Sequence, residues 1–316
     1  MATRRGPGRP KKQRPVDSIP KRGIVSTPSN VNAVNKDMVN AVEILYENPL
    51  MFKKIFGKLK TMKVSKIPIY FKKEGIVICT KDHTESSIIY IEIKGHELNS
   101  YFCEDEYSVI LQLSKIEPVI NAIDKEFTAI SFKSQRLTKF SKLTLALKHN
   151  PTSTTPDWDF TTEPGGEIPE EVYATLNDEV DYPVKFVLPS RFIKKRIKSY
   201  STQAEILKIT HIGGSNVRFE YTSSCDGVKH RWPFKNNIKL DSKVPKGELF
   251  IAPVYISDIK SVFNCIIADD IHISADKYKR IIFTSYLDIQ TQGKESIPGS
   301  QTCTIKIMTN LVEFKK

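Results

Sequence analysis

An internal duplication is the feature that most constrains how this chain of 316 residues can fold. When the sequence is shifted against itself by about 142 residues, segment 42–48 aligns with segment 184–190, and the helices predicted to follow them also align. At a shift of 143, segment 113–123 aligns without gaps with segment 256–266, and five positions are identical. One pair of amphipathic helices often looks alike by chance, but two matched pairs in the same order rarely do. The sequence therefore predicts two halves with the same structure.

Each half has the same predicted order of a strand, a helix, several strands, a second helix and several more strands. The first helices are expected to begin at Asn48 and Ser190, which suit the N-cap position. The second helices are expected to begin at Ser114 and Ser257, and Glu117 would complete a capping box with Ser114. Alternating apolar and polar residues predict strands elsewhere. Four helices among so many strands predict an α+β fold of two similar domains.

Charge divides the sequence into segments of three kinds. Residues 1–22 carry eight basic side chains and one acid, which predicts a disordered basic arm over residues 1–40. Residues 150–183 carry nine acids and no lysine or arginine, which predicts an acidic connecting loop between a domain at 41–149 and a domain at 184–316. The net charge of +12 is thus +7 in the arm, −9 in the loop and +14 in the rest. Such a basic body favours a polyanionic partner, although lysines that only maintain solubility would give the same total.

The first helix of each half separates an apolar face from a cationic face. On the helix predicted over residues 49–61, the apolar residues are Met51, Phe52, Ile55, Leu59 and Met62, and the basic residues include Lys53, Lys54 and Lys60. On the helix predicted over residues 191–202, the apolar residues are Ile193, Ile197 and Tyr200, and the basic residues include Arg191, Lys194, Lys195 and Lys198. Neither helix contains an acid to pair with them, so nearby phosphates would offset the repulsion. The alternative is a lysine face that contacts only solvent. The presence of the same cationic face in both halves disfavours this alternative.

Several classes of protein are disfavoured by the sequence. No apolar run approaches the roughly 20 residues that span a bilayer, and the basic N-terminus lacks the apolar block of a secretory signal, so we expect an intracellular protein. The five cysteines are scattered and odd in number, which favours free thiols. We expect no enzyme, cofactor or metal site, because recognisable catalytic motifs are absent. The polar clusters Asp269, Asp270 and His272, and Glu104 to Glu106, are interpreted as turns rather than metal ligands.

Four short motifs, in a fixed order, carry a family resemblance. These are Tyr101 to Asp105, Ser114 to Val119, Gly166 to Tyr173 with its Ile-Pro-Glu-x-x-Tyr pattern, and Leu188 to Phe192. Together they resemble the proliferating cell nuclear antigen family of DNA sliding clamps, in which the third motif belongs to the interdomain connecting loop. The resemblance covers residues 41–310. With its basic arm, the chain looks most similar to the clamp-like proteins of large asfarvirus-type DNA viruses.

The resemblance implies the DNA-clamp fold and a ring of three identical chains, with helices lining the hole and sheets outside. It places near DNA the residues Lys53, Lys54, Lys58, Lys60, Arg191, Lys194, Lys195 and Lys198. It also implies that ring closure joins strand 143–149 of one subunit to strand 227–234 of the next. Leu143, Leu145 and Leu147 would then pack against Trp232 and Phe234. A purely local aromatic role for Trp232 is the alternative.

Two further features bear on partners. Family members bind client proteins through a short hydrophobic motif inserted beneath the connecting loop, and the matching positions here are Ile88, Ile168 and Pro169. The extra acids between Tyr173 and Pro189 depart from the family's shorter connection. In the arm, Arg9 lies in a Gly-Arg-Pro sequence close to an AT-hook core, for which phosphate contact, minor-groove binding and nuclear import all remain open.

The function expected from these observations is that of a DNA sliding clamp, a processivity factor for DNA replication. As a homotrimer it would encircle duplex DNA and tether a DNA polymerase and other replication or repair proteins, in the host cytoplasm or nucleus. A clamp loader is a further candidate partner, and no membrane is involved. The alternative is a clamp-fold subunit that does not close a ring and acts as a DNA-binding transcription factor.

Overall fold

The computed structural model describes residues 41–136, 141–149, 157–176, 181–234, 238–265, 268–276, 280–287 and 303–310. The first half contains β1 (Val42–Tyr46), α1 (Pro49–Thr61), β2 (Lys66–Lys72), β3 (Gly75–Lys81), β4 (Ser87–Lys94), β5 (Ser100–Cys103), β6 (Tyr107–Gln112), α2 (Leu113–Ala122), β7 (Ala129–Arg136), β8 (Ser141–Lys148) and β9 (Asp157–Pro164). A short helix, α3 (Glu170–Leu176), follows. The second half contains β10 (Val184–Pro189), α4 (Ser190–Tyr200), β11 (Ile206–Ile212), β12 (Arg218–Thr222), β13 (Lys229–Pro233), β14 (Lys239–Ser242), β15 (Leu249–Tyr255), α5 (Ile256–Cys265), β16 (Asp270–Ala275), β17 (Arg280–Leu287) and β18 (Cys303–Asn310).

The two halves have the same order of elements. Each consists of one strand, a helix, five strands, a second helix and three strands. β1 therefore corresponds to β10, β4 to β13 and β9 to β18. This order confirms the duplication predicted from the sequence and the α+β fold class.

Antiparallel strands form two half-sheets in each half. The first half has the order β5-β1-β7-β8-β9 in one and β4-β3-β2-β6 in the other, and the second half has the corresponding orders β14-β10-β16-β17-β18 and β13-β12-β11-β15. β18 pairs with β4 from Cys303 opposite Ile93 to Thr309 opposite Ser87. This pairing joins the two halves into one continuous sheet.

The helices pack on one face of these sheets. The buried residues of α1 include Met51, Phe52, Ile55 and Leu59, as its apolar periodicity predicts. Ile193, Ile197 and Tyr200 of α4 are also buried. Each large apolar side chain removed from water contributes about 1.5–3 kcal/mol to folding. The helix faces that carry no apolar residues are thereby directed away from the sheets.

The second helices begin before their predicted caps, Ser114 and Ser257, and the N-cap of α2 is Gln112. α2 begins at Leu113 and α5 at Ile256, each directly after a strand. The Leu113 N–H donates to the carbonyl oxygen of Ser65 at 2.9 Å, and the Ile256 N–H donates to that of Glu205 at 2.8 Å. A backbone carbonyl of a neighbouring segment therefore satisfies one first-turn donor in both halves, and α2 has no side-chain cap hydrogen bond.

The acidic segment 150–183 is more structured than the predicted loop. It contains β9, which pairs with β8 from Asp157 opposite Ala146 to Thr162 opposite Ser141, and it also contains α3. The first half therefore extends to Pro164, beyond the predicted boundary at 149. The period-two pattern of a strand is present in Trp158 and Phe160, but the intervening acids and threonines resemble a linker composition.

Candidate nucleic-acid interface

The four long helices form a single row. α2 contacts α1, α1 contacts α5, and α5 contacts α4. Of the cationic residues predicted on this layer, Lys54, Lys60, Arg191, Lys195 and Lys198 are exposed, and Lys53, Lys58 and Lys194 are partly exposed. The structure thus brings the predicted basic residues of both halves to one helical layer, on the side away from the sheets.

Two of the α1 lysines have partners on the adjacent helix α2. Lys60 forms an ion pair with Glu117, and the hydrogen bond from Lys60 holds the pKa of the Glu117 carboxyl below its usual value. The Lys53 ammonium donates to the carbonyl oxygens of Asn121 and Ile123, where the C-terminal end of α2 attracts a cation. The sequence interpretation that no acid pairs with this face is therefore wrong for α1, because the acid comes from another helix.

The basic character of the layer is strongest at α4. Five of its eleven residues are lysine or arginine, and it contains no acid. Lys194, Lys195 and Lys198 line a cleft of about 390 Å³ between α4 and α5, together with Lys260 of α5. Lys260 was not among the predicted residues, because α5 contains one lysine and one acid and so shows no cationic face in the sequence. The cleft concentrates positive charge that a phosphate group can neutralise.

The edges of the sheets define a second feature, a candidate subunit seam. β18 pairs with β4 inside the chain, and their counterparts by the duplication are β9 and β13. Among the described residues, no strand pairs with the outer edge of β13 or with the outer edge of β9 between residues 157 and 162. Unpaired edges expose backbone donors and acceptors that can bind another strand.

The two free edges differ in charge. β9 exposes Asp157 and Asp159, and its partly buried side chains, including Trp158, pack against the core. β13 exposes Lys229 and Arg231, and its partly buried side chains include His230 and Trp232. An antiparallel pair formed by these edges would therefore bring acids next to bases on one face and aromatic rings together on the other.

The prediction that β8 forms part of the subunit seam is wrong. Leu143, Leu145 and Leu147 are all fully buried, and β8 is paired on both edges, with β7 and β9. β8 cannot join a neighbouring chain without giving up one of these partners, so β9 takes the place that the sequence assigned to β8.

The aromatic residues predicted at the other side of the seam pack within the chain. The Trp232 ring lies 4.8 Å from Phe192, and the Arg196 guanidinium lies 4.5 Å from the Trp232 ring centre. Phe234 is buried, with its ring 4.9 Å from that of Trp232. Trp232 therefore packs on α4 within the chain, its strand lies at an edge, and its role in a subunit interface stays a prediction.

A buried carboxylate organises the charges of the β13 edge. Glu220 of β12 is 4% exposed, and its oxygens lie 2.9 Å from Arg218 Nε, 3.0 Å from Lys229 Nζ and 3.6 Å from Arg231 Nε. Burial alone would raise the pKa of this carboxyl, but the hydrogen bond from Lys229 and the nearby cations outweigh it, so the pKa is lowered. Glu220 thus holds the exposed cations of the edge in position.

Glu220→Gln is expected to lower the free energy of unfolding at pH 7 by about 2 kcal/mol, less than for a fully buried pair because the cations are partly exposed. Since the folded-state pKa is lowered, this stabilisation is present above the unfolded pKa, near 4.3, and is lost as the pH falls through the folded value. Urea denaturation from pH 3 to 7 should therefore show the variant and the wild type converging in acid. The exposed control Glu126→Gln should change neither the free energy of unfolding at pH 7 nor its dependence on pH. A difference between Glu220→Gln and the wild type that stays constant across the pH range would contradict this role of Glu220.

The predicted client-binding positions lie on the opposite face of the sheet. Ile88 and Ile168 are partly buried and pack against a second apolar cluster, and Pro169 is exposed. The buried members of this cluster are Val77, Tyr90, Leu176, Tyr182, Ile282 and Met308, and Tyr70, Cys79 and Val172 are also partly buried at its margin. Next to it, a cavity of about 690 Å³ lies between β2, β6 and the connecting segment. The structure thus brings Ile88 and Ile168 together, at a place already covered by side chains of the chain itself.

Three other expectations concern the remaining sites. Arg9 of the arm lies outside the described residues. Within the described ranges, no three His, Cys, Asp or Glu side chains come together as a group that could hold a metal ion. No helix in those ranges is both long enough and apolar enough to cross a bilayer.

Comparisons with known proteins agree with this architecture. No protein-family model matches the chain. Two uncharacterized proteins of African swine fever virus, one from a Kenyan pig isolate and one from the Badajoz strain, are each 26% identical over 303 residues, which covers 90% of this chain and 94% of theirs. The crystal structure of proliferating cellular nuclear antigen from Entamoeba histolytica superposes with a TM-score of 0.64 at 13% identity, over 87% of this chain and all of the other. The protein therefore has the clamp fold of proliferating cell nuclear antigen and is similar in sequence to these proteins of African swine fever virus, as its motifs implied.

Proposed function

We propose that this protein is a DNA sliding clamp that closes a homotrimeric ring around duplex DNA. The observation that carries the proposal is the pair of oppositely charged edges formed by residues 157–162 of β9 and by β13, which correspond by the duplication to the β18–β4 pair inside the chain. Among the described residues, each edge lacks a strand partner that the other could provide. Head-to-tail contacts of this kind close into a ring when the rotation per subunit allows it.

Three chains would give a ring with six similar junctions. Three are the β18–β4 pairs within the chains, and three are β9–β13 pairs between chains. The row of helices α2-α1-α5-α4 would then repeat around the inner surface, and the lysines on it would face the DNA. This arrangement supports a clamp better than a non-ring accessory subunit, which would have no use for two complementary edges.

Such a ring needs affinity for DNA without sequence specificity. Lysine ammonium groups on flexible stems supply it, because they can move between phosphates without a fixed bidentate geometry. Closure converts these weak contacts into topological linkage, so the residence time depends on ring opening. We expect no catalysed reaction and no cofactor. By the resemblance, the clients would be a DNA polymerase and other replication or repair proteins, in the cytoplasm or nucleus of a host cell.

Encirclement makes a topological prediction. Protein assembled on a closed circular plasmid should stay bound in about 0.5 M salt, where phosphate contacts are weak, and should be released when a restriction enzyme linearises the same DNA. Gel filtration of the DNA-bound fraction before and after cutting measures this. Equal retention on circular and linear DNA, or release from both at that salt concentration, would count against a closed ring and favour the non-ring alternative.

A further inference from the structure

The second apolar cluster shows that a segment of the chain itself fills the predicted client-binding groove. The floor of this groove spans the junction of the two halves, with Val77 from β3, Tyr90 from β4 and Met308 from β18. Leu176 of α3 is fully buried against it, and Tyr182 is 2% exposed. Without this cover the floor would be a continuous apolar patch on the outer face of the sheet, and such patches mark interaction sites.

The contacts of α3 resemble those of a docked peptide. Val172 and Leu176 are four residues apart in α3, which places them on one side of the helix, and both pack in the cluster together with Ile168, which precedes the helix. The Lys306 ammonium, which is buried, donates to the carbonyl oxygen of Leu176 at the C-terminal end of α3. The Lys72 ammonium lies 4.4 Å from the ring centre of the exposed Tyr173.

α3 is suited to leave this position. It has only seven residues, and a helix of that length is unstable in water without its packing contacts. Among its described side chains, Val172 and Leu176 pack on the cluster, and opening of this one helix costs far less than unfolding the domain. Gly165 and Gly166 precede the segment, and its other residues are rich in exposed acids such as Glu167 and Glu170, so the released segment would remain soluble.

We propose that α3 is a displaceable plug, and that client proteins dock in the groove with a helical segment whose apolar residues have the same four-residue spacing. This inference rests on the proposed clamp function and adds that client binding is gated. A client must compete with a segment tethered at high effective concentration, so its apparent affinity is reduced by the fraction of time that the groove is open.

Cys79 provides a native reporter of plug opening. It is partly buried at the margin of the groove, and burial raises the pKa of its thiol to about 11. When α3 leaves, the thiol becomes accessible and its pKa falls towards the ordinary value, so alkylation accelerates. Mass spectrometry of peptides resolves this cysteine from the others.

The test uses the full chain without DNA. Leu176→Ala removes the most buried anchor of α3, and Lys306→Met removes the buried donor to its last carbonyl. Each variant is expected to increase the rate of Cys79 alkylation by roughly tenfold or more, with the thermal unfolding of the sheets little changed. The matched control Glu167→Ala, at an exposed position just before α3, should alkylate at the wild-type rate.

A synthetic peptide of residues 166–176 then probes the vacated groove in trans. At about 1 mM, chosen to match the effective concentration of a tethered segment, it should slow Cys79 alkylation in the Leu176→Ala variant. The same peptide with alanine in place of its leucine should not do so. Unchanged alkylation in both variants, or faster alkylation without protection by the peptide, would overturn the plug. Ring closure is measured separately on circular DNA, so either idea can fail while the other stands.

Discussion

The double replacement Asp157→Arg and Asp159→Arg is expected to reduce the protein in solution from an assembly of three chains to a single chain of 36.0 kDa. Both carboxylates are exposed on β9. In the proposed seam they face Lys229 and Arg231 of the neighbouring subunit. The replacement would set cations opposite cations along a strand pair, and directly opposed like charges destabilise such a pair. All three seams of the ring would be affected at once.

The local cost of this replacement is small. Asp159 forms an exposed ion pair with Lys142 at 2.9 Å, and exposed pairs of this kind contribute at most about 1 kcal/mol. The matched control is Glu104→Arg with Asp105→Arg, which makes the same charge change at exposed positions after β5, away from both edges. Light scattering across a concentration series should show the control as a trimer. A trimeric seam variant, or a wild type that stays monomeric at every concentration, would contradict the seam.

The parts of the fold that could be predicted depend on local periodicity. Apolar residues at helical spacing identified the buried faces of α1 and α4, because burial of one helix face is decided within that helix. The duplication then supplied the common order of elements, since segments related by sequence fold alike. Lys195 and Lys198 were correctly placed on an exposed face for the same reason.

The parts that could not be predicted depend on contacts between distant segments. Lys60 was interpreted as unpaired because Glu117 belongs to another helix. β9 was interpreted as loop because its acids and threonines conceal two partly buried aromatic residues, and this error moved the seam to Leu143, Leu145 and Leu147. The packing of Leu176 on the second apolar cluster has no signal in the sequence beyond the spacing of Ile168, Val172 and Leu176. In each case the tertiary partner, rather than the local pattern, decides the role.

α4 is expected to contribute more to DNA affinity than α1, because two lysines of α1 already have partners on α2. Lys195→Gln with Lys198→Gln should weaken binding to a short duplex at least tenfold at about 0.1 M salt. The slope of log affinity against log salt should fall by roughly 0.9 for each phosphate that the variant no longer neutralises. Both lysines are exposed, and Lys198 lines the α4–α5 cleft with Lys260. Fluorescence anisotropy over a range of salt concentrations measures both quantities.

The comparison variant is Lys53→Gln with Lys60→Gln, which removes the same charge from α1. Lys53 is bound to carbonyls at the end of α2, and Lys60 is paired with Glu117, so each would have to give up an internal partner to neutralise a phosphate. Its salt slope should therefore change less than that of the α4 variant. Equal slopes would mean that the α2 partners yield to DNA at no cost, and an unchanged slope in the α4 variant would remove Lys195 and Lys198 from the interface. A larger effect from α4 would mean that each subunit holds DNA mainly through its second half, so the ring would grip the duplex with threefold rather than sixfold periodicity.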